Sequence, residues 1–298
     1  MSTTPDLPKE RVITQEEFDN AVKLGGKFAP VFKVDEKTVV KTSDMTQLGE
    51  AAAMKMVREK TTIPVPEDQN VYTDPTTGDV PIVMDFIEGD CLLDVWDTYD
   101  NDQKQQIIEQ LHSYFAQLRE LKGSFIGSVD GKFCFDQVFD QDIGGHGPYE
   151  DEASFNAEMS TSKSSWLDSY RLQITDHSLG RATVHEPLYC LVKALKNTMI
   201  SGWGDTVCDM VLAMKDHEIV FTHGDISPRN ILVKDCNIVS VLDWEYSGYY
   251  PEYWEYAKAF FRPAWEKSWI KDRAVNKILK PYPLENAICQ HVFSFGAW

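Results

Sequence analysis

The chain is poor in positive charge and in long apolar runs. Its 298 residues carry 47 acidic but only 29 basic side chains, for a formal net charge of -18. A surface of that sign repels nucleic acid and anionic membranes, so neither is expected as a partner. No run reaches the roughly 20 apolar residues of a membrane helix, and Met1 to Asn20 lack a signal-peptide core. We expect a cytoplasmic protein whose acidity serves either solubility or the attraction of a cationic ligand.

Cysteine and glycine are both missing from the patterns that would mark a metal site or a phosphate loop. The six cysteines form no Cys-x-x-Cys pair and no cluster with zinc spacing, which is typical of reduced thiols in a cytosolic protein. Residues 24–28 hold two glycines, but neither Gly-x-Gly-x-x-Gly nor Gly-x4-Gly-Lys-Ser/Thr. We interpret this segment as a plain turn.

The order of the secondary-structure patterns divides the chain near residue 87. Residues 31–41 and 71–86 predict two β-hairpins, and residues 46–60 predict a helix between them. Residues 1–20 are interpreted as a loose or partly helical lead-in. Beyond residue 87 the patterns are mostly helical, with an irregular, glycine-rich segment at 124–150 that more often shapes a rim than a core. The helical patterns lie near 100–123, 153–176, 187–201, 204–215 and 265–270.

One stretch carries the chemistry. His223-Gly224-Asp225 is followed five residues later by Asn230 and, after two short apolar runs that predict a hairpin, by Asp243. An Asp with an Asn five residues on has the spacing of a kinase catalytic loop. Phosphoryl transfer needs one carboxylate to accept the proton of the attacking hydroxyl, and an amide and a second carboxylate to hold Mg²⁺. These residues therefore predict Asp225 as the general base, with Asn230 and Asp243 as metal ligands.

This stretch, together with Asp243-Trp244-Glu245, resembles the aminoglycoside phosphotransferase and choline kinase family, and within it most closely the fungal phosphotransferase-domain proteins. The resemblance runs from about residue 31 to about 265 and is strong over 220–256. It implies an α+β, bilobal protein-kinase-like fold. A small antiparallel sheet with one helix would form the nucleotide-binding lobe, residues 1–86. A larger, mainly helical catalytic and substrate-binding lobe would span 87–298.

The resemblance also implies a nucleotide site with ATP and Mg²⁺ as cofactors. Lys41 would contact the α- and β-phosphates, Glu50 would pair with it, and Asp85-Phe86-Ile87 would form the hinge that holds adenine. Each residue also has a plainer interpretation. Lys41 can be a solvent-facing strand lysine, Glu50 an acid at a helix N-terminus, and the hinge a core strand that runs into a loop.

Other residues near the catalytic stretch have open roles. We expect His223 to brace the loop through a hydrogen bond. Glu245 can support the metal or form a surface salt bridge, and Arg229 can steady phosphate charge or face solvent. Tyr249 and Tyr250 are left open between a stacking wall and packing, whereas Trp254 and Tyr256 are expected to pack beneath the loop.

Three functions compete. The leading one is an ATP- and Mg²⁺-dependent kinase that phosphorylates a hydroxyl of a small molecule, with the acidic surface favouring a cationic acceptor. The second is a non-catalytic nucleotide-binding or interaction protein, since a fold alone does not establish activity. The third is a protein kinase. Against it stand Asp-Trp-Glu in place of Asp-Phe-Gly, the absent Ala-Pro-Glu and the absent glycine-rich loop.

Overall fold

The computed structural model describes residues 11–25, 30–42, 46–75, 77–136, 146–160, 205–261 and 267–296. The predicted helix at 187–201 and most of the one at 153–176 lie outside these ranges. The lead-in forms a short helix, α1 (Gln15–Asn20), which Thr14 and Glu17 close with a reciprocal capping box. None of the helices in these ranges is long and apolar enough to cross a membrane.

A five-stranded antiparallel sheet forms the N-terminal part of the molecule, in the order β1-β2-β3-β5-β4. Both predicted hairpins are confirmed, because β2 pairs with β3 and β4 with β5. Leu24 and Gly25 belong to the edge strand β1, so the interpretation of this segment as a plain turn is wrong for these two residues. The strands are β1 (Val22–Gly25), β2 (Val31–Lys33), β3 (Thr38–Lys41), β4 (Asp68–Val71) and β5 (Ile82–Asp85).

Helix α2 (Leu48–Lys60) connects β3 to β4 and packs against the sheet. It begins two residues later than the sequence pattern predicts. Its buried side includes Met54 and Val57, and also the charged Glu50 in the first turn. At its start Gly49 lies so close to residue 128 that a Cβ would be 2.5 Å from the Ser128 hydroxyl oxygen. The helix thus packs against both the sheet and the segment around residue 128.

The larger part of the chain combines helices with two small sheets. Strand β7 (Ile219–Thr222) pairs with β10 (Gly248–Pro251), and β6 (Asp90–Cys91), β8 (Ile231–Lys234) and β9 (Asn237–Val241) form a three-stranded sheet. The predicted hairpin after the catalytic stretch is therefore confirmed as β8–β9. The helices are α3 (Leu92–Val95), α4 (Asn101–Glu120), α5 (152–160), α6 (205–213), α7 (Trp254–Lys258), α8 (Lys267–Lys271), α9 (Ala274–Ile278) and α10 (Pro283–Gly296).

Helix α4 packs against the strand that leads into the catalytic stretch. Asp100 caps its N-terminus through the Gln103 amide, and its buried stripe contributes Ile107, Leu111 and Leu118 to the core. It contacts β7, β9 and α9. Because β7 leads directly into the catalytic stretch, this packing fixes where that stretch begins.

The aromatic residues after Asp243 pack in the core. Tyr250 and Trp254 are fully buried and stack with ring centroids 5.6 Å apart, so Tyr250 does not form a stacking wall for substrate. Tyr249 is half-buried against Phe221 and Phe125. The expected packing roles of Trp254 and Tyr256 are confirmed by their burial.

The segment at 124–150 is more than a rim in its described part. Ile126 and Cys134 are buried in the core. Backbone bridges join Ile126 to Tyr149 and Gly127 to Tyr249, so the segment is attached to β10. The expectation of a rim rather than a core is wrong for Ile126 and Cys134, since the sequence did not indicate what this segment pairs with.

Candidate active site

The catalytic stretch lies between β7 and β8, and His223 braces it as expected. The Asp225 amide donates to His223 Nδ1 (3.2 Å), so the imidazole proton sits on Nε2, which donates to the Leu242 carbonyl (3.0 Å). One ring therefore joins the loop that carries Asp225 to the peptide that precedes Asp243. Asp243 itself has a left-handed backbone with φ +66°, which is uncommon for a residue other than glycine.

Gly224 is required by the geometry of this turn. Its φ of +82° is a conformation that other residues adopt with strain. A Cβ at this position would also stand 2.5 Å from the Tyr246 carbonyl oxygen. The backbone between His223 and Asp225 can approach the segment after Asp243 only because this side chain is missing.

Asn230 holds the Asp225 side chain. Its Nδ2 donates to both the backbone oxygen and Oδ2 of Asp225, each at 2.9 Å. Burial raises the pKa of Asp225, the nearby charge of Asp243 raises it further, and Lys258, His223 and Asn230 oppose the rise. With its amide nitrogen used in this way, Asn230 has a side-chain oxygen to which no described residue donates, so this oxygen can accept or ligate.

Lys41 gathers three carboxylates from distant parts of the chain. Its Nζ lies 2.9 Å from Glu50 Oε1, 2.6 Å from Asp243 Oδ1 and 3.1 Å from Glu245 Oε2. Lys41 and Glu50 are buried, whereas Asp243 remains about one-third exposed, at 35% of its side chain. The structure thus brings the predicted Lys41–Glu50 pair together and also gives Glu245, whose role was open, a direct bond to the lysine.

The charges in this cluster do not balance. Burial disfavours the ammonium of Lys41, but the attraction of Glu50, Asp243 and Glu245 outweighs it and raises its pKa well above the usual value. Burial raises the pKa of Glu50 to about 7, Lys41 opposes this, and the charges of Asp243 and Glu245 add to it. The single ammonium group of Lys41 is thus the salt-bridge partner of three carboxyl groups.

A cavity of about 480 Å³ opens between the five-stranded sheet and the catalytic stretch. We call it the nucleotide cavity, because the sequence analysis predicts that residues in its wall hold a nucleotide. Lys41, Asn230 and Asp243 line one end, and the predicted hinge residues line another part of the wall. Apolar side chains from both parts of the fold lie between, among them Val39, Met84, Leu232 and Trp244. Such a largely apolar cleft with a few convergent polar groups is typical of a small-molecule site.

The hinge residues reach this cavity in different ways. Asp85 turns its carboxylate to Gln69 Nε2 (2.8 Å), and its amide donates to the Glu67 carbonyl. The Phe86 amide donates to the Lys37 carbonyl (2.7 Å), while the Phe86 ring lies under Lys33 Nζ. Asp85 and Phe86 are therefore already bonded within the protein through these donors.

The oxygen atoms at the polar end fit a hard divalent cation. Asn230 and Asp243 offer amide and carboxylate oxygens on the same cavity, the ligand type that Mg²⁺ prefers. Within the described ranges, no three His, Cys, Asp or Glu side chains are grouped to hold a metal ion by themselves. Two protein ligands suit Mg²⁺, because it keeps several waters and takes further oxygens from substrate phosphates.

The sequence analysis does not predict one residue, Glu255, that bonds the backbone of the catalytic stretch. Glu255 lies in α7 and is only 1% exposed. Its carboxylate accepts hydrogen bonds from the backbone amides of His223 (2.7 Å) and Gly224 (3.1 Å). Arg119 from α4 donates to the same carboxylate (3.1 Å). The only signal in the sequence was an acidic residue within a run of buried aromatics, at Trp254-Glu255-Tyr256.

Comparison with known proteins places this fold. No curated protein sequence matches the chain. The solved structure of a thermostable mutant of aminoglycoside phosphotransferase APH(4)-Ia is similar, with TM-score 0.55, 15% identity, and coverage of 94% of this chain and 86% of that one. A variant of the same thermostable mutant, in a ternary complex with ADP and hygromycin B, has a TM-score of 0.53 and 12% identity, and the match covers 94% of this chain and 95% of that one. The GDP and kanamycin complex of APH(2")-IIia has a TM-score of 0.52 and 12% identity, and the match covers 96% of this chain and 86% of that one.

At these identities the structural likeness shows the fold alone, and that fold is the α+β, bilobal, kinase-like one that the sequence predicts. The family follows from the sequence itself, since residues 31–276 match the phosphotransferase enzyme family. The match covers most of the chain and includes Lys41, Asp225, Asn230 and Asp243. The chain therefore belongs to the phosphotransferase enzyme family and is an enzyme of its small-molecule kinase type.

Proposed function

We propose that this enzyme transfers the γ-phosphate of ATP to a hydroxyl group of a small molecule, with Asp225 as the general base. The observation that carries the proposal is the convergence on Lys41. This lysine of the nucleotide-lobe sheet bonds Glu50 on α2 and Asp243, which lies 202 positions away beside the catalytic loop. Kinase chemistry needs these groups together. Similar solved structures hold ADP with hygromycin B, or GDP with kanamycin.

The nucleotide would occupy the nucleotide cavity with its phosphates towards Lys41. Its base would lie against the apolar wall near Met84 and the hinge. Because the Asp85 and Phe86 amides donate to protein carbonyls, we assign to Ile87 the backbone donor that would bond the base. The phosphates would then displace Asp243 as a partner of Lys41.

Asn230 and Asp243 would hold Mg²⁺, which when bound neutralises charge on the nucleotide phosphates. The Asp225 carboxylate is fixed through Oδ2 by Asn230. Its other oxygen is free of that bond and would accept the proton from the acceptor hydroxyl. A base placed in this way typically contributes about 10²–10⁴ in rate. His223 and Glu255 keep the loop still while the proton moves, because both bond its backbone.

The test is Mg²⁺-dependent ADP release by the purified full-length protein, measured against amino alcohols and aminoglycosides. The matched variants are Asp243→Ala and Asp235→Ala, the second being an exposed aspartate on the β8–β9 turn. Stimulation by an acceptor that is lost in Asp243→Ala and kept in Asp235→Ala supports the proposal. If the protein binds ATP but no acceptor raises ADP release and no basal release depends on Asp243, the non-catalytic alternative takes its place.

A further inference from the structure

A second cavity, which we call the α4 cavity, opens along one face of helix α4 and measures about 280 Å³. The residues of α4 that line it follow one another at helical spacing: His112, Phe115, Ala116, Arg119 and Glu120. The other walls come from the segments 218–220, 252–256 and 278–282. The α4 cavity shares no lining residue with the nucleotide cavity. A molecule in it would therefore not compete with the nucleotide for space.

Arg119 has unused hydrogen-bond donors at this cavity. A guanidinium has five N–H groups. One donates to Glu255 (3.1 Å), and another makes a long contact of 3.5 Å with the Thr222 hydroxyl. The other three have no acceptor among the residues that the structure describes. Burial is the main influence on Arg119 and lowers its pKa, so a ligand that supplied two more acceptors would stabilise the charge. The side chain is 24% exposed, which lets a ligand in the cavity reach it.

The other charges of the wall limit the ligand to a single negative charge. Both lysines of the wall already have a carboxylate partner, in the pairs Lys122–Glu218 and Lys280–Glu252. Glu120 adds a further carboxylate. A phosphate monoester carries close to two negative charges at pH 7, so these carboxylates would repel it more strongly than a carboxylate ligand. The planar fork of Arg119 binds a carboxylate through two parallel hydrogen bonds. A carboxylate is therefore the class of anion that this wall favours.

The buried part of the wall is apolar and favours a hydrophobic body on the same ligand. Phe115, Val220, Ile278 and Leu279 are all buried and line the cavity. Sites for drug-sized molecules begin at about 300 Å³, and the α4 cavity is just smaller, at about 280 Å³. It can hold one ring with a short chain that ends in a carboxylate.

Glu255 links the α4 cavity to the catalytic stretch. Its Oε2 accepts both the Arg119 guanidinium and the His223 amide, and its Oε1 accepts the Gly224 amide. Among the described residues, Arg119 is the only cation that bonds this buried carboxylate. A ligand carboxylate on Arg119 would share the guanidinium with Glu255 and weaken their bond. A buried carboxylate that loses its counter-charge is destabilised, so Glu255 would hold the two amides less firmly.

We propose that the α4 cavity binds a small apolar monocarboxylate on Arg119, and that this ligand inhibits turnover by competing with Glu255 for the guanidinium. The binding does not depend on the proposed phosphotransfer. The loss of turnover does, since it rests on Asp225 as the base in the loop that Glu255 holds.

Isothermal titration calorimetry on the full-length protein tests the binding. The probe is 3-phenylpropanoate. Three comparators each change one recognised feature: acetate lacks the ring, 3-phenylpropanamide lacks the charge, and phenyl phosphate carries a second charge. We expect the probe to bind at least about tenfold more tightly than each comparator, from the burial of a ring and the bidentate pairing of a single charge.

Two pairs of variants locate the site. Arg119→Lys keeps the charge but loses the fork, so it should weaken the probe about tenfold, whereas Lys122→Gln, at a half-exposed pair with Glu218, should change affinity by less than about threefold. Ala116→Trp introduces a large ring at an exposed position of the cavity wall and should abolish binding. Ser113→Trp, at an exposed position of the same helix outside the cavity, should leave binding whole. Thermal unfolding checks each fold, and the tryptophan pair decides the matter if Arg119→Lys does not fold.

Hydrogen exchange tests the link to the catalytic stretch without an assay of activity. Saturating probe should speed the exchange of the peptide that contains His223 and Gly224 by at least about threefold, and should have no such effect in Ala116→Trp. In the ADP-release assay the probe should lower kcat by at least about twofold without raising KM for ATP, because the two cavities are separate.

These measurements separate the inference from the proposed function. Selective binding that Ala116→Trp removes, together with faster exchange, supports the inference. If no acceptor then gives ADP release, only the phosphotransfer is overturned. Equal binding of the probe and its comparators, binding that Ala116→Trp leaves unchanged, or exchange that the probe does not speed up overturns the inference whether or not an acceptor is phosphorylated. An active enzyme whose kcat the probe leaves unchanged overturns the inhibition.

Discussion

Lys41 Nζ lies 2.6 Å from Asp243 Oδ1, which joins the five-stranded sheet to the catalytic stretch across 202 positions of sequence. Glu50 and Glu245 bond the same nitrogen. With one ammonium for three carboxylates, the cluster has an excess of negative charge. Binding of Mg²⁺ at Asp243 would relieve that excess, so metal affinity and the stability of this region should be linked.

The first prediction concerns pH and Glu50. Burial raises the pKa of Glu50 from 4.5 to about 7, so the folded state binds more protons than the unfolded state between these values. Stability should then fall as pH rises through this window. We expect the free energy of unfolding to be about 1–3 kcal/mol larger at pH 5 than at pH 8 on account of this group. Urea unfolding at the two pH values measures the difference.

Glu50→Gln should remove most of that pH dependence, because a glutamine cannot ionise. Glu59→Gln is the matched control, since Glu59 lies exposed on the same helix. A Glu50→Gln protein that retains the full difference between pH 5 and pH 8 would show that another group titrates.

The second prediction concerns Asp225→Asn. The asparagine can keep the bond from Asn230 but cannot accept a proton, so turnover should fall by about 10²–10⁴. ADP affinity should stay within about threefold of the wild type, because Asp225 does not line the nucleotide cavity. Steady-state kinetics and calorimetry measure the two quantities. Turnover near the wild-type value would remove Asp225 from the role of base.

The third prediction separates the two reasons for glycine at position 224. Gly224 and Gly78 have nearly the same backbone, with φ +82° and +81°, but only Gly224 has atoms that an added Cβ would meet. Gly78→Ala should therefore cost only the strain of a left-handed residue, about 1 kcal/mol. Gly224→Ala should cost several times more and should lower turnover, since the Tyr246 carbonyl must move. Thermal unfolding of both variants decides; equal losses would mean that the loop accommodates the methyl group.

The sequence predicted the parts of the site that local patterns define. Lys41 ends a strand of β-branched residues and Glu50 lies in the first turn of the next helix, so their pairing follows from a short connection. Asp225, Asn230 and Asp243 are spaced by a loop and a hairpin. The burial of Glu50 and the salt bridge between Glu245 and Lys41 could not be predicted from local patterns, because both depend on how α2 and the segment after Asp243 pack. The boundary at residues 86 and 87 and the assigned roles stay predictions.

Long-range pairing explains most of what the sequence did not reveal. β10 is a strand only because β7 lies beside it, and its aromatic letters suit packing and ligand stacking equally well. Helix α10 has an apolar pattern, with Ile288, Cys289, Val292 and Phe293 buried, but the sequence analysis predicts no element there. The role of Glu255 could not be predicted from the sequence, since its partners are two backbone amides and Arg119, which lies 136 positions away.

The last prediction therefore concerns Glu255. Its carboxylate accepts two amides of the catalytic loop and the Arg119 guanidinium. Glu255→Gln turns one of its oxygens into a donor, which faces a donor and leaves a buried amide unpaired, at a cost of about 1–3 kcal/mol. We expect a lower unfolding temperature and a fall in kcat, with ADP affinity unchanged because Glu255 does not line the nucleotide cavity. Glu218→Gln, at an exposed pair with Lys122, should change neither quantity. A Glu255→Gln enzyme that is less stable but keeps its kcat would show that Glu255 stabilises the fold without positioning Asp225.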